Sequence, residues 1–436
     1  MQNEDHLVDY VSKHEDEIGC VDTNEDTLLH IYSSSKYDAL QNLALMLRPS
    51  IVHEENKQGR TPIFSAIDSR NDRLVQKIID VDPSTLFHMD ENGTTALQYE
   101  LSSHGDKKIV DIMFPFVTID VSVLASLFVV VLGSSEKCIS MLEHFPELYD
   151  FRNPRSYSIL HMATGSVYQT SARAIVRYIH AHRPSLFSIL AEDGSCPAHT
   201  CLTHEMLRLV VDLDPESLIR RDDIGQTPLH RIIGSLSRPS TIINIVRSNP
   251  EVLSAQDKHG KTISMMIATR SLPVFKKNNI LKLFEMNPDS FFLKDTEGRT
   301  FLHHVTEHKQ TNWFDMCEHI IQKHPSALFE KDFRGKNVFD YAIDTGGHGS
   351  FQLDREIFAS VCLKYTAIPR EYWIFKGIVP SLVHSFESII KRSEEEAERA
   401  FEFLPTKIQK YIRETLLLRI DIPNDVKKKI IAASLI

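Results

Sequence analysis

The chain has 436 residues, 42% hydrophobic and 25% charged, ordinary proportions for a folded water-exposed protein. Its net charge of −10 argues against a nucleic-acid binder, which would show a basic balance. Its most apolar stretch, residues 121–132, falls short of the ~20 needed to span a bilayer.

Six scattered cysteines (Cys20, Cys138, Cys196, Cys201, Cys317 and Cys362) have no disulfide-framework spacing, and Met1-Gln2-Asn3-Glu4-Asp5-His6 lacks the basic and apolar regions of a secretory signal. Both point to a reducing, intracellular compartment: the cytoplasm first, with the nucleus also open.

From Glu25 onward one pattern recurs. Aligned on a single position, ten copies place Glu25, Gly59, Gly93, Val123, Ser156, Gly194, Gly225, Gly260, Gly298 and Gly335 in register. The spacings are 34, 34, 30, 33, 38, 31, 35, 38 and 37, the period of a two-helix repeat. In eight copies a proline stands ten residues earlier: Pro49, Pro83, Pro146, Pro184, Pro215, Pro250, Pro288 and Pro325. Two marks at a fixed offset lock the register, and each unit then packs only on its neighbours.

In chain order, the first copy reads Thr27-Leu28-Leu29-His30 and the second Asn56, Gly59, Thr61, Pro62. The fourth is the most degenerate, with Asp120, Val123 and Ala125-Ser126-Leu127-Phe128 in the signature places. It reads either as an unusually apolar middle repeat or as a kink in the stack. The fifth copy reads Ser158-Ile159-Leu160-His161, with extra residues Tyr168-Gln169-Thr170-Ser171 expected between its two helices. The sixth reads Cys196-Pro197-Ala198-His199.

The seventh is the clearest, Asp222-Asp223-Ile224-Gly225-Gln226-Thr227-Pro228-Leu229-His230. Asp222 and Gly225 have turn chemistry, glycine being favoured at positive φ. Thr227-Pro228 suits a capped helix start. A second helix is expected from Pro239-Ser240, with Ile242, Ile243, Ile245 and Val246 as its apolar face, ending at Asn249-Pro250. Further insertions stand at Lys276-Lys277-Asn278-Asn279 and Lys309-Gln310-Thr311-Asn312. In the ninth copy Trp313, Phe314, Cys317, Ile320 and Ile321 form a helical stripe, followed by Pro325, Leu328, Asp332 and Gly335.

Beyond Gly346-Gly347-His348 the pattern stops. Segments 355–365, 378–400, 405–418 and 423–436 keep helical periodicity without hairpin marks, so the expected organisation is a repeat array over 1–350 and a C-terminal helical region over 351–436. Lys427-Lys428-Lys429, beside Ile430, Ile431 and Leu435, reads as the wet side of a last helix or as an amphipathic interaction helix.

The signature from Gly225 to His230 resembles that of ankyrin repeats, and the resemblance extends over roughly residues 20–350. One departure is systematic: a proline stop replaces the glycine that usually follows the second helix. The resemblance implies an all-α solenoid of about ten helix-turn-helix units with hairpin loops, closed by a C-terminal helical cap. It also implies a non-catalytic scaffold or adaptor that holds a protein partner of unknown identity on its concave face. The variable tip pairs are the candidate binding residues: Lys57 and Gln58, Asp223 and Ile224, Lys258 and His259, Thr296 and Glu297, and Phe333 and Arg334, the last two first because aromatic and arginine residues are enriched in binding hot spots. Leu404-Pro405 and the residues to 412 loosely resemble the opening helix of an F-box. That likeness implies an alternative in which the C-terminus recruits a ubiquitin-ligase subunit; an ordinary cap is the competing reading.

Of 21 histidines, His30, His161, His199, His230 and His303 fill the signature slot, which in the resembling family ties neighbouring turns together. Cys196, His199, Cys201 and His204 have zinc-ligand chemistry. The repeat accounts for Cys196 and His199 first, so no metal is expected. His304 and His308 are expected at the solvent. With no phosphate loop, nucleophile elbow or kinase motif set, no catalytic residue or cofactor is assigned.

Overall fold

The computed structural model describes residues 2–103, 107–233, 239–269 and 277–307, then 320, 321, 323, 324, 327, 330–338 and 341. The expected C-terminal region 351–436, with 404–412 and 427–429, lies outside these residues, as does the insertion at 309–312.

The local chemistry of Asp-x-x-Gly builds the hairpins. In the seventh copy, Asp222 Oδ1 accepts from the N–H groups of Ile224 (3.0 Å) and Gln226 (2.8 Å). Its own N–H donates to the Gln226 carbonyl at 3.0 Å, and Gly225 N–H donates back to the Asp222 carbonyl at 2.8 Å. The same double acceptance recurs at Asp22, Asn56, Asp90, Asn153, Asp257, Asp295 and Asp332. An unbranched carboxylate or amide thus closes the turn, and the residue three places on must take positive φ. Nine of the ten aligned positions do so, including Glu25 (63°) and Ser156 (61°), which are not glycine.

Val123 is the exception and a correction to the aligned register. It lies inside the helix Val121–Val130, where its N–H donates to the Asp120 carbonyl. Asp120 caps that helix through Oδ1 to Ser122 N–H at 2.7 Å. It therefore does the work of the signature threonine, and the fourth copy has no Asp-Gly hairpin. The physical reason is chain length: from the 3₁₀ turn Phe114–Phe116 the backbone runs almost directly into the helix cap.

Each described proline of the second landmark opens a 3₁₀ turn, as in Pro49–His53, Pro83–Phe87 and Pro250–Ser254. The preceding residue is forced out of helical geometry, for example Asn249 at φ −148°, ψ 80°. The proline thus stops one helix and aims a pair of apolar residues, such as Val252 and Leu253, into the core.

The described residues are α-helical with short 3₁₀ turns and contain no β-strand beyond a single bridge, Met89 to Thr95. They fall into two compact units, Met1–Leu202 with Leu209–Ser217, and Thr203–Arg208 with the described residues from Leu218 on.

In the first unit, one row of helices packs in chain order as Leu28–Ile31, Pro62–Asp68, Ala96–Ser102, Val121–Val130 and Ile159–Thr164. A second row runs Gln2–Lys13, Asp38–Leu47, Asp72–Val81, Lys107–Met113, Ser135–His144 and Gln169–His182. The fourth copy keeps its place in the first row, burying Leu124, Ala125, Leu127 and Phe128. In the second unit Pro228–Ile232, Ile263–Thr269 and Phe301–Glu307 follow one another, beside Pro239–Ser248 and Lys277–Met286. Phe291 packs edge-on against both Phe284 (5.4 Å between centroids) and Phe301 (4.8 Å) in its core.

Two expected insertions take a different form. Gln169, Thr170 and Ser171 form the first turn of Gln169–His182, the longest described helix at 14 residues, and Lys277–Asn279 open Lys277–Met286. Continuing the helix satisfies the added backbone groups internally, which a longer loop would not.

Candidate functional site: the hairpin tips

Successive hairpins are tied tip to tip by backbone hydrogen bonds. In the second unit Lys258 N–H donates to the Ile224 carbonyl (2.8 Å), Thr296 N–H to His259 (3.0 Å), and Phe333 N–H to Glu297 (2.9 Å). In the first unit Lys57 N–H bonds Asn24, Glu91 bonds Gln58, and Glu192 bonds Arg155. A pair with a neighbour on each side, such as Lys57–Gln58, Lys258–His259 or Thr296–Glu297, donates with its first residue and accepts with its second.

This ladder brings eight of the ten candidate residues into one row: Asp223, Ile224, Lys258, His259, Thr296, Glu297, Phe333 and Arg334. Lys57 and Gln58 belong to the other unit's ladder. All ten side chains are exposed except Glu297, which is half-buried between Arg299 (3.1 Å) and Arg334 (3.4 Å). Phe333 is 76% exposed, the most open of the large apolar residues among those described. Lys57 Nζ is committed in part, donating to the Thr23 carbonyl at 2.6 Å.

The glycines permit this close approach. A Cβ on Gly260 would lie 2.7 Å from Asp295 Cα, and one on Gly298 would lie 2.8 Å from Phe333 N. Gly93 would meet nothing within 4 Å, as expected where the following copy has no hairpin.

Beneath the tips, the signature histidines join one copy to the next. His230 Nδ1 accepts the Thr227 N–H (3.2 Å) and lies 2.8 Å from Thr227 Oγ1, while Nε2 faces the Lys261 carbonyl at 3.2 Å. His30 reaches the Arg60 carbonyl (2.8 Å) and His161 that of Ser195 (3.0 Å) in the same way. A ring that accepts at Nδ1 and donates at Nε2 is neutral. Burial agrees, pushing His30, His230 and His303 below the usual histidine range and His161 down to about 4.

His304 does not face solvent as expected. It is buried, with Nε2 2.8 Å from Asp295 Oδ2. The same place, six residues after the hairpin glycine, holds Arg231 against Asp222 Oδ2 (2.8 Å) and Tyr341 against Asp332 Oδ2 (2.7 Å). The first helix thus reaches back to the free oxygen of the turn aspartate. Burial alone would raise the Asp295 carboxyl, but the His304 hydrogen bond and the charges of His304 and Arg299 hold it at about 2.

Cys196 and His199 serve the cap, with Sγ 3.1 Å from Nδ1. Cys201 bonds the Pro197 carbonyl, and burial pushes its thiol above the ordinary range. Among the described residues no cluster of three or more His, Cys, Asp or Glu is placed to hold a metal.

Two arrangements were not foreseen. Lys137 is 2% exposed, and its Nζ donates to the carbonyls of Glu100 and Ser103 and pairs with the Glu100 carboxylate at 3.5 Å. It closes the C-terminal end of Ala96–Ser102, where bare carbonyls favour a cation. The other is a row four residues before each hairpin glycine in the second unit. Arg221 Nη1 donates to the Gln256 carbonyl (2.9 Å), Gln256 Nε2 to Lys294 (2.8 Å), and Lys294 Nζ to Lys331 (3.3 Å). The fixed offset from the glycines was the available signal for this row; Lys137 had none.

No protein-family model matches the chain, and no curated protein matches it. Among the described residues no helix is long and apolar enough to cross a membrane.

Proposed function

We propose that the chain is an ankyrin-type repeat protein, a solenoid acting as a non-catalytic scaffold or adaptor that holds a protein partner on its hairpin tips. One observation carries the reading. The tip backbones are consumed by the ladder between copies, whereas the tip side chains are exposed and differ from copy to copy. A rigid frame that presents unlike side chains in a regular row suits recognition of a macromolecular surface. The buried histidines and cysteines support a non-catalytic role, since burial holds the histidines neutral and the Cys138 and Cys201 thiols protonated. The described Cys20, Cys138 and Cys201 are thiols, in keeping with a reducing compartment.

The test is affinity capture with the full chain and with the double variant Phe333→Ala/Arg334→Ala. Phe333 is expected to contribute most, because an exposed aromatic gains most from burial at an interface. A specific partner captured by the native chain and lost by the double variant supports the reading. Equal capture by both would remove these tips from the binding surface.

A further inference from the structure

The hairpins of the second unit carry a strip of positive charge that no tip pair reveals by itself. Arg221, Gln256, Lys294 and Lys331 stand at equivalent places, and each of the first three is pinned across the backbone of the next hairpin. Lys258 and Arg334 extend the strip onto the exposed tips.

The carboxylates of the same hairpins are mostly engaged. Asp222, Asp295 and Asp332 are buried with Oδ1 in the turn and Oδ2 on the following helix. Glu297 is held by Arg299 and Arg334, and Glu330 by Lys294 at 2.7 Å. Arg221, Lys258 and Lys331 have no carboxylate against them among the described residues; the acids left over are the exposed Asp223 and the half-buried Asp257, whose Oδ1 is taken up in its turn.

The first unit lacks this arrangement. Its equivalent row reads Val21, Glu55, Met89, Arg152 and Leu190, and its tips include Glu91, Glu192 and Asp193. In a chain of net charge −10, the strip is a local separation of charge and no consequence of composition.

We infer that this strip docks an acidic, extended segment of a protein partner. The inference rests on the tip-binding reading above and adds the partner's chemistry. Carboxylates spaced along such a segment would accept charge-assisted hydrogen bonds from Arg221, Lys258 and Lys331. Ile224 and Phe333, exposed on the first and last tips of the row, would take apolar residues of the same segment. Asp223, Glu297 and Glu330, interleaved with the cations, disfavour the uniform negative charge of a nucleic acid.

Fluorescence anisotropy with the full chain tests this, using three labelled probes: a peptide alternating Asp and Glu with Leu and Phe, its Lys/Arg counterpart, and a DNA duplex. The acidic peptide should bind tightest, and its affinity should fall with salt. The triple reversal Arg221→Glu/Lys258→Glu/Lys331→Glu should weaken it about tenfold or more. These side chains are at the surface, and an unchanged melting curve shows that the variant is folded. Glu91→Lys/Glu192→Lys in the first unit should leave the affinity unaltered.

Tighter binding of the duplex, equal binding of both peptides, or indifference to the triple reversal would overturn the inference. Partner capture that is lost in Phe333→Ala/Arg334→Ala but survives the reversal sinks the acidic segment alone. Capture indifferent to both sets of changes sinks the tip-binding reading with it.

Discussion

Glycine at the hairpin does two jobs, and the positions separate them. At Gly93 only the positive φ of 74° matters, because a Cβ there would meet open space. At Gly260 the same backbone, at φ 70°, also presses against Asp295 and Thr296 of the next copy. Gly93→Ala should therefore cost about 1–2 kcal/mol, the conformational penalty alone. Gly260→Ala should cost clearly more, since the opposing atoms are backbone and cannot swing aside. Thermal or urea unfolding of the two variants checks this, and equal costs would refute the packing role.

Lys137 offers a second residue-scale test. Burial lowers its affinity for a proton and Glu100 restores part of it, so the pair stands or falls together. Removing one partner, as in Lys137→Met, should cost about 3–5 kcal/mol by stranding a buried carboxylate. Lys137→Met/Glu100→Met should cost much less than the two single changes summed. Neither residue is distinguishable by sequence from the other Lys and Glu residues of helices, because their burial depends on helices of two different copies.

At the scale of elements, the fourth copy is where sequence alignment and structure part. Asp120 looks like a turn aspartate when read along the chain, yet a carboxylate is equally good at capping a helix. The short path from Phe114–Phe116 decides between the two. If Val123 stood at a hairpin position, glycine there would stabilise. Because it is an exposed residue within Val121–Val130, Val123→Gly should instead destabilise by up to about 1 kcal/mol, while Val123→Ala should be neutral or slightly stabilising. Unfolding measurements on this pair separate the two registers by sign. The insertions make the same point: extra residues before the second helix are spent on another helical turn, a choice that depends on the neighbouring helices against which that turn can pack.

For the molecule as a whole, the buried histidines set a direction of pH dependence. His30, His161, His230 and His303 all bind protons less readily folded than unfolded. Between the unfolded value near 6.5 and their lowered folded values, the unfolded chain therefore holds more protons. Stability should be fully present above about pH 6.5 and decline as the pH falls toward 4, where His161 protonates in place. Asp295, held at about 2, adds a further loss below about pH 4 as its carboxylate is protonated. Equilibrium unfolding followed from pH 8 to 3 checks this. In His161→Gln the upper part of the decline should shrink, because glutamine does not titrate.

The tie between His230 and the following copy was an expectation from the ankyrin resemblance, whereas the period of the repeat, the turn and cap residues and the proline stops were legible in the sequence. They rest on hydrogen bonds between residues a few places apart, or on one offset repeated along the chain. Tertiary structure alone decided which of two roles Asp120 plays, that His304 is buried on Asp295, that Lys137 closes a distant helix, and that Arg221, Lys294 and Lys331 gather on one edge. Each of these depends on atoms brought close by packing between copies, where burial and the approach of distant backbone carbonyls change what an ordinary polar side chain can do.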